Sequence, residues 1–420
     1  VNPEAVAGLD ACVHCGFCLQ SCPTYRVTDD ESDSPRGRIV LMRSLASGRL
    51  SPDDRALTAH LDRCLGCRAC EPVCPSGVEY GPAIEDARRV LRERRPPPLV
   101  VRILHAMMAE PALRRPAFAV ARVVRPAASA LAGRGRVRMA MGMLAATARH
   151  RPDVRPLPAI APPSPPVASE ATRETVALFR GCVMDDLFAH VHDATVRVLE
   201  ANGYRVIEPP EQCCCGALHA HAGQHAEAVE LARRNARVFL DVPADATVVV
   251  NAAGCGAMLK GYPRLLRGGV LETAGRALGQ RVRDVTELLA ARGPRPGAAL
   301  PLRVLYDPPC HLLHAQRIAE APERVLGSVP GIERVHHADA EMCCGSAGTY
   351  SFAEPGVAND VLALKVDAIR RAEPDVVVSG NPGCIMQIGA GLRAAGLRIP
   401  VVHPIELLDW SYERAGFYET

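Results

Sequence analysis

Cys12-Val13-His14-Cys15-Gly16-Phe17-Cys18-Leu19-Gln20-Ser21-Cys22-Pro23 decides how this chain is read. Its spacing is C-x2-C-x2-C-x3-C-P, and the same spacing returns at Cys64, Cys67, Cys70 and Cys74, with Pro75 behind it. Three thiolates this close in sequence wrap three irons of one [4Fe–4S] cube. The fourth, turned away ahead of proline, serves the other cube. The spacing therefore predicts two crossed ligand sets. Cys12, Cys15, Cys18 and Cys74 hold the first cluster; Cys64, Cys67, Cys70 and Cys22 hold the second. Crossed ligation ties two distant segments together, so folding of this region is coupled to cluster assembly. Zinc is the bland alternative, but zinc sites usually draw on two ligand pairs rather than on runs of four ending in proline.

The rest of the composition fits a metal protein better than a disulfide scaffold. At 420 residues the chain is long enough for two or three domains. Disulfide-dense proteins are usually small and secreted, so seventeen cysteines in a chain of this size point to metal in a reducing compartment. No secretory signal opens the sequence, and no apolar run approaches the roughly 18 residues that would cross a bilayer. The expected location is cytoplasmic, with peripheral attachment to the inner face of the cytoplasmic membrane as an option. The basic residues are nearly all arginine, which reads as coding bias rather than function.

Outward from the two motifs, residues 1–95 form an α-helical bis-[4Fe–4S] module, with helices expected near 39–46, 53–63 and 83–95. Pro96-Pro97-Pro98 stops the last of them. Residues 96–170 are a basic helical connector and a Pro-rich linker. Within 99–151, ten arginines face a single acid, Glu110, so this stretch carries +9 while the remainder of the chain carries −6. Leu, Val, Met and Ala fill the gaps, as in amphipathic helices with a basic face. Such a segment lies on an anionic membrane or an acidic partner, or else packs on its own protein. Residues 152–170, rich in proline with Ser and Ala, read as linker.

Residues 171–420 contain an internal repeat. Cys182, Cys214, Cys215 and Cys255 recur as Cys310, Cys343, Cys344 and Cys384, at offsets of 128, 129, 129 and 129. Four matched cysteines at a near-constant offset predict two homologous domains, 171–297 and 298–420. In each, short apolar runs alternate with helical stretches: Val176 to Phe179, Tyr204 to Glu208 and Val248 to Val250 in one, Val304 to Tyr306, Arg334 to His336 and Val376 to Val378 in the other. That alternation implies parallel α/β layers, with the four cysteines of a copy brought to one cleft at the strand ends. Cys213, matched only by Met342, reads as a buried spare thiol. His219, His221, His225, His311, His336 and His337 lie near these cysteines and read as caps or fillers before ligands. No dinucleotide fingerprint, P-loop or Gly-x-Ser-x-Gly elbow is present.

The first module resembles the helical ferredoxins of respiratory-chain iron–sulfur subunits, and the repeats resemble the cysteine-rich CCG domains of heterodisulfide reductase subunits. Joined in this order, they resemble the iron–sulfur subunits of glycolate oxidase. The likeness rests on Cys12-Val-His-Cys-Gly-Phe-Cys18, Asp33-Ser-Pro-Arg-Gly-Arg38, Cys64-Leu-Gly-Cys-Arg-Ala-Cys70 and Cys214-Cys-Gly-Ala-Leu-His-Ala-His-Ala-Gly223. One departure stands out: the full CCG motif ends in Cys-x-x-Cys, and here the last position is Met258 in the first copy and Gln387 in the second.

The resemblance implies an electron relay. A separate FAD subunit oxidises glycolate, and D-lactate beside it, to the 2-oxo acid; this chain takes the electrons and passes them towards a membrane quinone. The eight CCG cysteines are then candidate ligands of a further centre, a third [4Fe–4S] cluster before zinc. Two other readings share these modules: the iron–sulfur subunit of an anaerobic glycerol-3-phosphate dehydrogenase, and a heterodisulfide reductase-like catalytic subunit, against which the absent fifth cysteines count. No nucleic-acid partner is expected.

Overall fold

Residues 7–133, 135–150 and 173–418 are described by the structure, a computed structural model. The expected linker at 152–170 lies outside the described residues. In the first module three helices, α1 (Pro35–Ala46), α2 (Arg55–Asp62) and α3 (Tyr80–Arg94), surround a core of Leu9, Ile39, Met42, Leu57, Leu61, Ile84 and Leu91. The first begins four residues earlier than its apolar pattern, because Ser34 caps it by accepting from Gly37 N and Pro35 sits in the first turn. Gly37 cannot be larger: a Cβ there would stand 1.9 Å from Glu31 O. Asp33, wholly buried, pairs with Arg38 (3.2 Å), His60 (3.0 Å) and Arg63 (3.2 Å). The segment Asp33-Ser-Pro-Arg-Gly-Arg38 is thus a cap, a tight approach and a buried ion pair in six residues.

The connector forms α4 (Leu99–Ala109), α5 (Pro111–Leu131) and α6 (Arg136–Ala146). Its arginines do not form one outward basic face. Arg114 is buried and ion-paired to Asp186, with Asp185 at 3.8 Å; Arg122 donates to Asp186 O and Arg125 to Thr147 O. Arg114 therefore serves internal packing, Arg125 is half-buried, and Arg122 makes its inward hydrogen bond while remaining exposed. What faces outward is mixed: Leu99, Ile103, Leu113, Val120, Val123 and Leu131 are exposed, and so are Arg102, Arg115, Arg136 and Arg138. The pattern of charges could not settle this, because a helix with arginines all around offers several faces of similar character. None of the described helices is long and apolar enough to cross a membrane.

Each repeat builds a four-stranded parallel sheet. Strands β1 (Glu174–Phe179), β2 (Tyr204–Ile207), β3 (Thr247–Val250) and β4 (Val282–Asp284) lie in the order 2-1-3-4. The second sheet repeats that order with β5 (Arg303–Tyr306), β6 (Glu333–Val335), β7 (Val376–Val378) and β8 (Val401–Val402), as 6-5-7-8. In register, Val176 pairs with Thr247 and Val304 with Val376, so the central strands match between copies. Buried β-branched runs on the central strands suit a sheet covered on both faces. The outer strands β4 and β8, three and two residues long, were too short to read from the sequence.

The two copies share one core. The first copy carries helices α7 (Ala189–Ala201), α8 (His225–Val238) and α9 (Val285–Arg292), the second α10 (Glu320–Gly327), α11 (Pro355–Ala372), α12 (Pro382–Ala394) and α13 (Pro404–Arg414), and α7 of the first packs against α13 of the second. Likewise α9 leaves the first copy to pack on α10 of the second. Val176, Val198 and Leu199 consequently fall in one apolar cluster with Val304, Leu407, Leu408 and Trp410. The connector fastens the pair from outside: α6 lies on α12 at small residues, and a Cβ on Gly389 would come 2.6 Å from Ala146 Cβ.

Candidate metal centres

In the first module the eight cysteines frame two adjoining cavities. One, of about 430 Å³, is lined by Cys12, Cys15, Cys18 and Cys74, and also by Cys70. The other, of about 300 Å³, is lined by Cys22, Cys64, Cys67 and Cys70. Each motif thus sends its fourth cysteine to the other motif's cavity, the grouping that crossed ligation needs. A single tetrahedral zinc would hold its sulfurs about 3.8 Å apart, given a Zn–S bond of about 2.3 Å. Among the described residues no three cysteine sulfurs lie within 4.8 Å of one another, so the donor set suits a larger polynuclear centre better than one ion.

The second cavity is the more deeply set. Cys22 and Cys64 are buried, whereas Cys15 is exposed beside Val13 and Phe17, which are themselves 70% and 69% exposed. Two buried guanidiniums flank the inner cavity. Arg38 Nη1 lies 4.0 Å from Cys22 Sγ, and Arg88 donates to Leu61 O and Cys64 O. Burial raises the Cys67 and Cys70 thiols well above their ordinary pKa. Burial opposes ionisation of Cys64 as well, but there Arg38 and Arg88 outweigh it and bring the pKa below the ordinary value. Tyr80 adds a hydroxyl that donates to Cys64 Sγ at 3.6 Å. These cations offset the charge that four thiolates would bring into an apolar site.

In the repeats the expected cysteines also converge, at the carboxyl ends of the strands. Cys182 follows β1, Cys214 and Cys215 follow β2, and Cys255 follows β3. Their sulfurs form two close pairs, Cys182–Cys214 at 3.5 Å and Cys215–Cys255 at 3.3 Å. In the second copy Cys310 and Cys343 stand 3.9 Å apart, with Cys344 and Cys384 hydrogen-bonded beside them. Glycine after each Cys-Cys pair is obligatory: Gly345 has φ +84°, and a Cβ on it would stand 2.6 Å from Ala358 O. Hydrogen bonding to Cys214, followed by burial, raises Cys182. In the second row Cys344 is the thiol held well below its usual pKa, because Cys343 and Cys384 both donate to it. Metal-free, the rows are mostly protonated, so loading them with metal releases protons.

Cys213 stays out of the row. It is fully buried, its thiol points at Cys214 O and Leu231 O, and burial pushes it up to about 11. At the positions where a fifth cysteine is absent, the copies differ. Met258 packs against the apolar core, but Gln387 is fully buried and both polar atoms of its amide lack a hydrogen-bond partner. An unsatisfied buried amide destabilises, so Gln387→Leu should stabilise the metal-free protein by about 1–3 kcal/mol in chemical denaturation. A destabilised Gln387→Leu protein would mean that the amide has a partner.

The first module docks on the second row. Cys67 and Cys310 lie in one apolar cluster with Leu65 and Cys343, and His311 Nε2 is 3.1 Å from Gly66 O. The first row is covered by the connector instead, where Met108 packs on Cys182 and Cys214. Of the other histidines, His219 is buried against the His105 ring, His221 pairs with Glu85 (2.9 Å) and His337 lies 3.4 Å from Asp307; His225 and His336 are exposed. Among the described residues, no hydrogen bond joins any of these six to a cysteine sulfur. Sequence reasoning missed Arg88 and the docking role of His311, since neither sits in a spacing motif.

Comparison with known proteins agrees with this layout. A 4Fe-4S dicluster domain family matches residues 8–78, and the cysteine-rich domain family CCG matches 176–260 and 304–389. The "Probable glycolate oxidase iron-sulfur subunit" of Bacillus subtilis (strain 168) is 36% identical over 96% of this chain and 94% of its own length.

The chain belongs to the glycolate oxidase iron–sulfur subunit family.

A second member of the family, the "Glycolate oxidase iron-sulfur subunit" of Escherichia coli (strain K12), is 32% identical, with 98% of this chain and 96% of that one covered. "Lactate utilization protein A" of Exiguobacterium sp. (strain ATCC BAA-1283 / AT1b) is 33% identical across 57% of this chain and 99% of its own. The glycolate oxidase iron–sulfur subunits thus match nearly all of the chain, and the lactate utilization protein matches a little over half of it.

Proposed function

We propose that this chain is the electron-transfer iron–sulfur subunit of a complex that oxidises glycolate, and D-lactate beside it, to the 2-oxo acid. Substrate is oxidised on a separate FAD-bearing subunit, and the electrons leave towards a membrane quinone. The observation that carries this reading is the run of thiol sites: an exposed four-cysteine cavity, a buried one adjoining it at Cys70, and the Cys310 row packed against Cys67. A [4Fe–4S] cluster in each cavity supplies one-electron chemistry, which divides the two-electron chemistry of a flavin. The chain's own residues hold the ligand positions, exclude water around Cys22 and Cys64, and place the cations of Arg38 and Arg88 where negative charge collects. Domains at 1–95, 96–170, 171–297 and 298–420 follow from the same reading, with the last boundary separating two repeats that share a core.

The eight cysteines of the two rows are assigned to a third centre, iron–sulfur ahead of zinc, since the neighbouring module already carries clusters. The outward apolar residues of α4 and α5, with exposed Arg102 and Arg115 among them, support attachment at the inner face of the cytoplasmic membrane. The test is reconstitution. The purified chain, prepared without oxygen, should hold at least about eight irons and oxidise no glycolate. Activity should appear when the flavin subunit is added. Glycolate turnover by the chain alone, with no flavin detectable, would reject the relay in favour of chemistry within the CCG clefts.

A further inference from the structure

A third cleft, of about 590 Å³, opens between the first module, the connector and both repeats. Cys64 lies in its wall, together with Val101, Leu218, Ala353, Tyr350 and Glu354. It is partly open to solvent, so a small organic molecule has a way in. Its charges select against an anion. Arg92 is paired with Asp62 and donates to Ala222 O, while Arg88 donates to His221 O and to the carbonyls beside Cys64. Neither guanidinium is left over for a carboxylate or phosphate. Burial raises the half-buried Glu354 carboxyl above its ordinary pKa, with Arg63 opposing, which brings its protonated form, a donor to a ligand carbonyl, within easier reach. The cleft therefore suits a neutral, mostly apolar molecule bearing hydrogen-bond acceptors. Beside it, Leu99 (67% exposed) and Ile103 (59%) of α4 offer an apolar path along the outside, and Pro97, Pro98 and Val101 line the inside.

We propose that this cleft binds the ring of a lipophilic quinone, with its isoprenoid tail lying along the exposed face of α4. The proposal rests on the relay reading above and gives that reading its exit. Conversion of the quinone to the quinol takes two electrons and two protons. The electrons come from the reduced flavin of the partner subunit by way of this chain. The two protons come from solvent, and Glu354, which lines the cleft, is placed to pass them on.

The experiment uses the full iron-loaded chain without its flavin partner, so binding is read apart from turnover. An azido derivative of a short-tailed ubiquinone is bound and photolysed, and the labelled peptides are mapped by mass spectrometry. Label is expected within 97–101, 218–222 or 349–354. In a parallel titration with the unmodified short-tailed quinone, Ala353→Trp, which fills the cleft, should weaken binding at least tenfold with iron content unchanged. Labelling confined to other segments overturns the proposal, as does unaltered affinity in a folded Ala353→Trp protein. If that variant fails to fold, the wild-type label map decides. Quinone bound in the cleft but never reduced by the complete complex would reject the relay and leave the site standing. Reduction of a soluble dye by a complex that binds no quinone would do the reverse.

Discussion

Cys74→Ala should strip iron from the cavity framed by Cys12, Cys15 and Cys18 and leave the other cavity loaded, so that about four of eight irons remain. The expectation runs against the local grouping, since Cys74 follows Cys64, Cys67 and Cys70 in sequence. It follows from where the side chains sit: Cys74 lines the first cavity and Cys22 the second. A cube with three protein thiolates is more exposed to loss than one with four, and this cavity already carries the exposed Cys15. Cys22→Ala is the mirror experiment and should empty the buried cavity. Iron counts with low-temperature electron paramagnetic resonance on both variants separate the cases. Loss of the second centre in Cys74→Ala, with the first intact, would show that each motif keeps its own four ligands.

Arg38→Met should cost about 3–5 kcal/mol, the usual penalty for leaving one member of a buried ion pair behind. Arg38 is 1% exposed and Asp33 is wholly buried, so water cannot replace the lost guanidinium. Arg63 and His60 still face Asp33, which places the expected loss at the lower end of that range. The same substitution removes a positive charge next to Cys22 Sγ. With less positive charge nearby, adding an electron to the buried centre becomes harder, and its reduction potential falls. Arg38→Lys should recover most of the potential but less of the stability, because an ammonium cannot match the planar fork that reaches Asp33, Thr24 and His60 O together. Denaturation curves and a redox titration of the two variants check this. A potential equal to wild type in Arg38→Met would confine Arg38 to a structural role.

The cysteines were legible because cluster ligation and strand-end convergence both write themselves as spacing. The first motif, the second, and the offset of 129 between repeats needed no packing information. The central strands were legible for a related reason: Val248-Val249-Val250 and Val376-Val377-Val378 are runs that only a doubly covered sheet would bury. What escaped depends on partners far away in sequence. Arg114 looks like any surface arginine until Asp186 is found beside it. Arg88 sits on an ordinary helix face, and only the fold brings His221 O and Cys64 O to it. The outward face of the connector is set by which side the repeats cover, which its own pattern does not record. β4 and β8 are too short to carry a period of two, and the exchange of α9 and α13 between copies leaves no mark in composition.

That exchange bears on how the protein is made. Helix α7 ends at Ala201, and the helix that covers it, α13, begins at Pro404. At about 5–20 residues per second, synthesis leaves the face of α7 uncovered for roughly 10–40 s. During that interval the first repeat has its strands and its cysteines but no closed core. A stop codon between the two repeats would therefore yield a sticky fragment rather than half a working protein. A factor that shields the nascent first repeat would lower that risk, and withholding metal until α13 has emerged would keep its thiols from being loaded in an unfinished pocket.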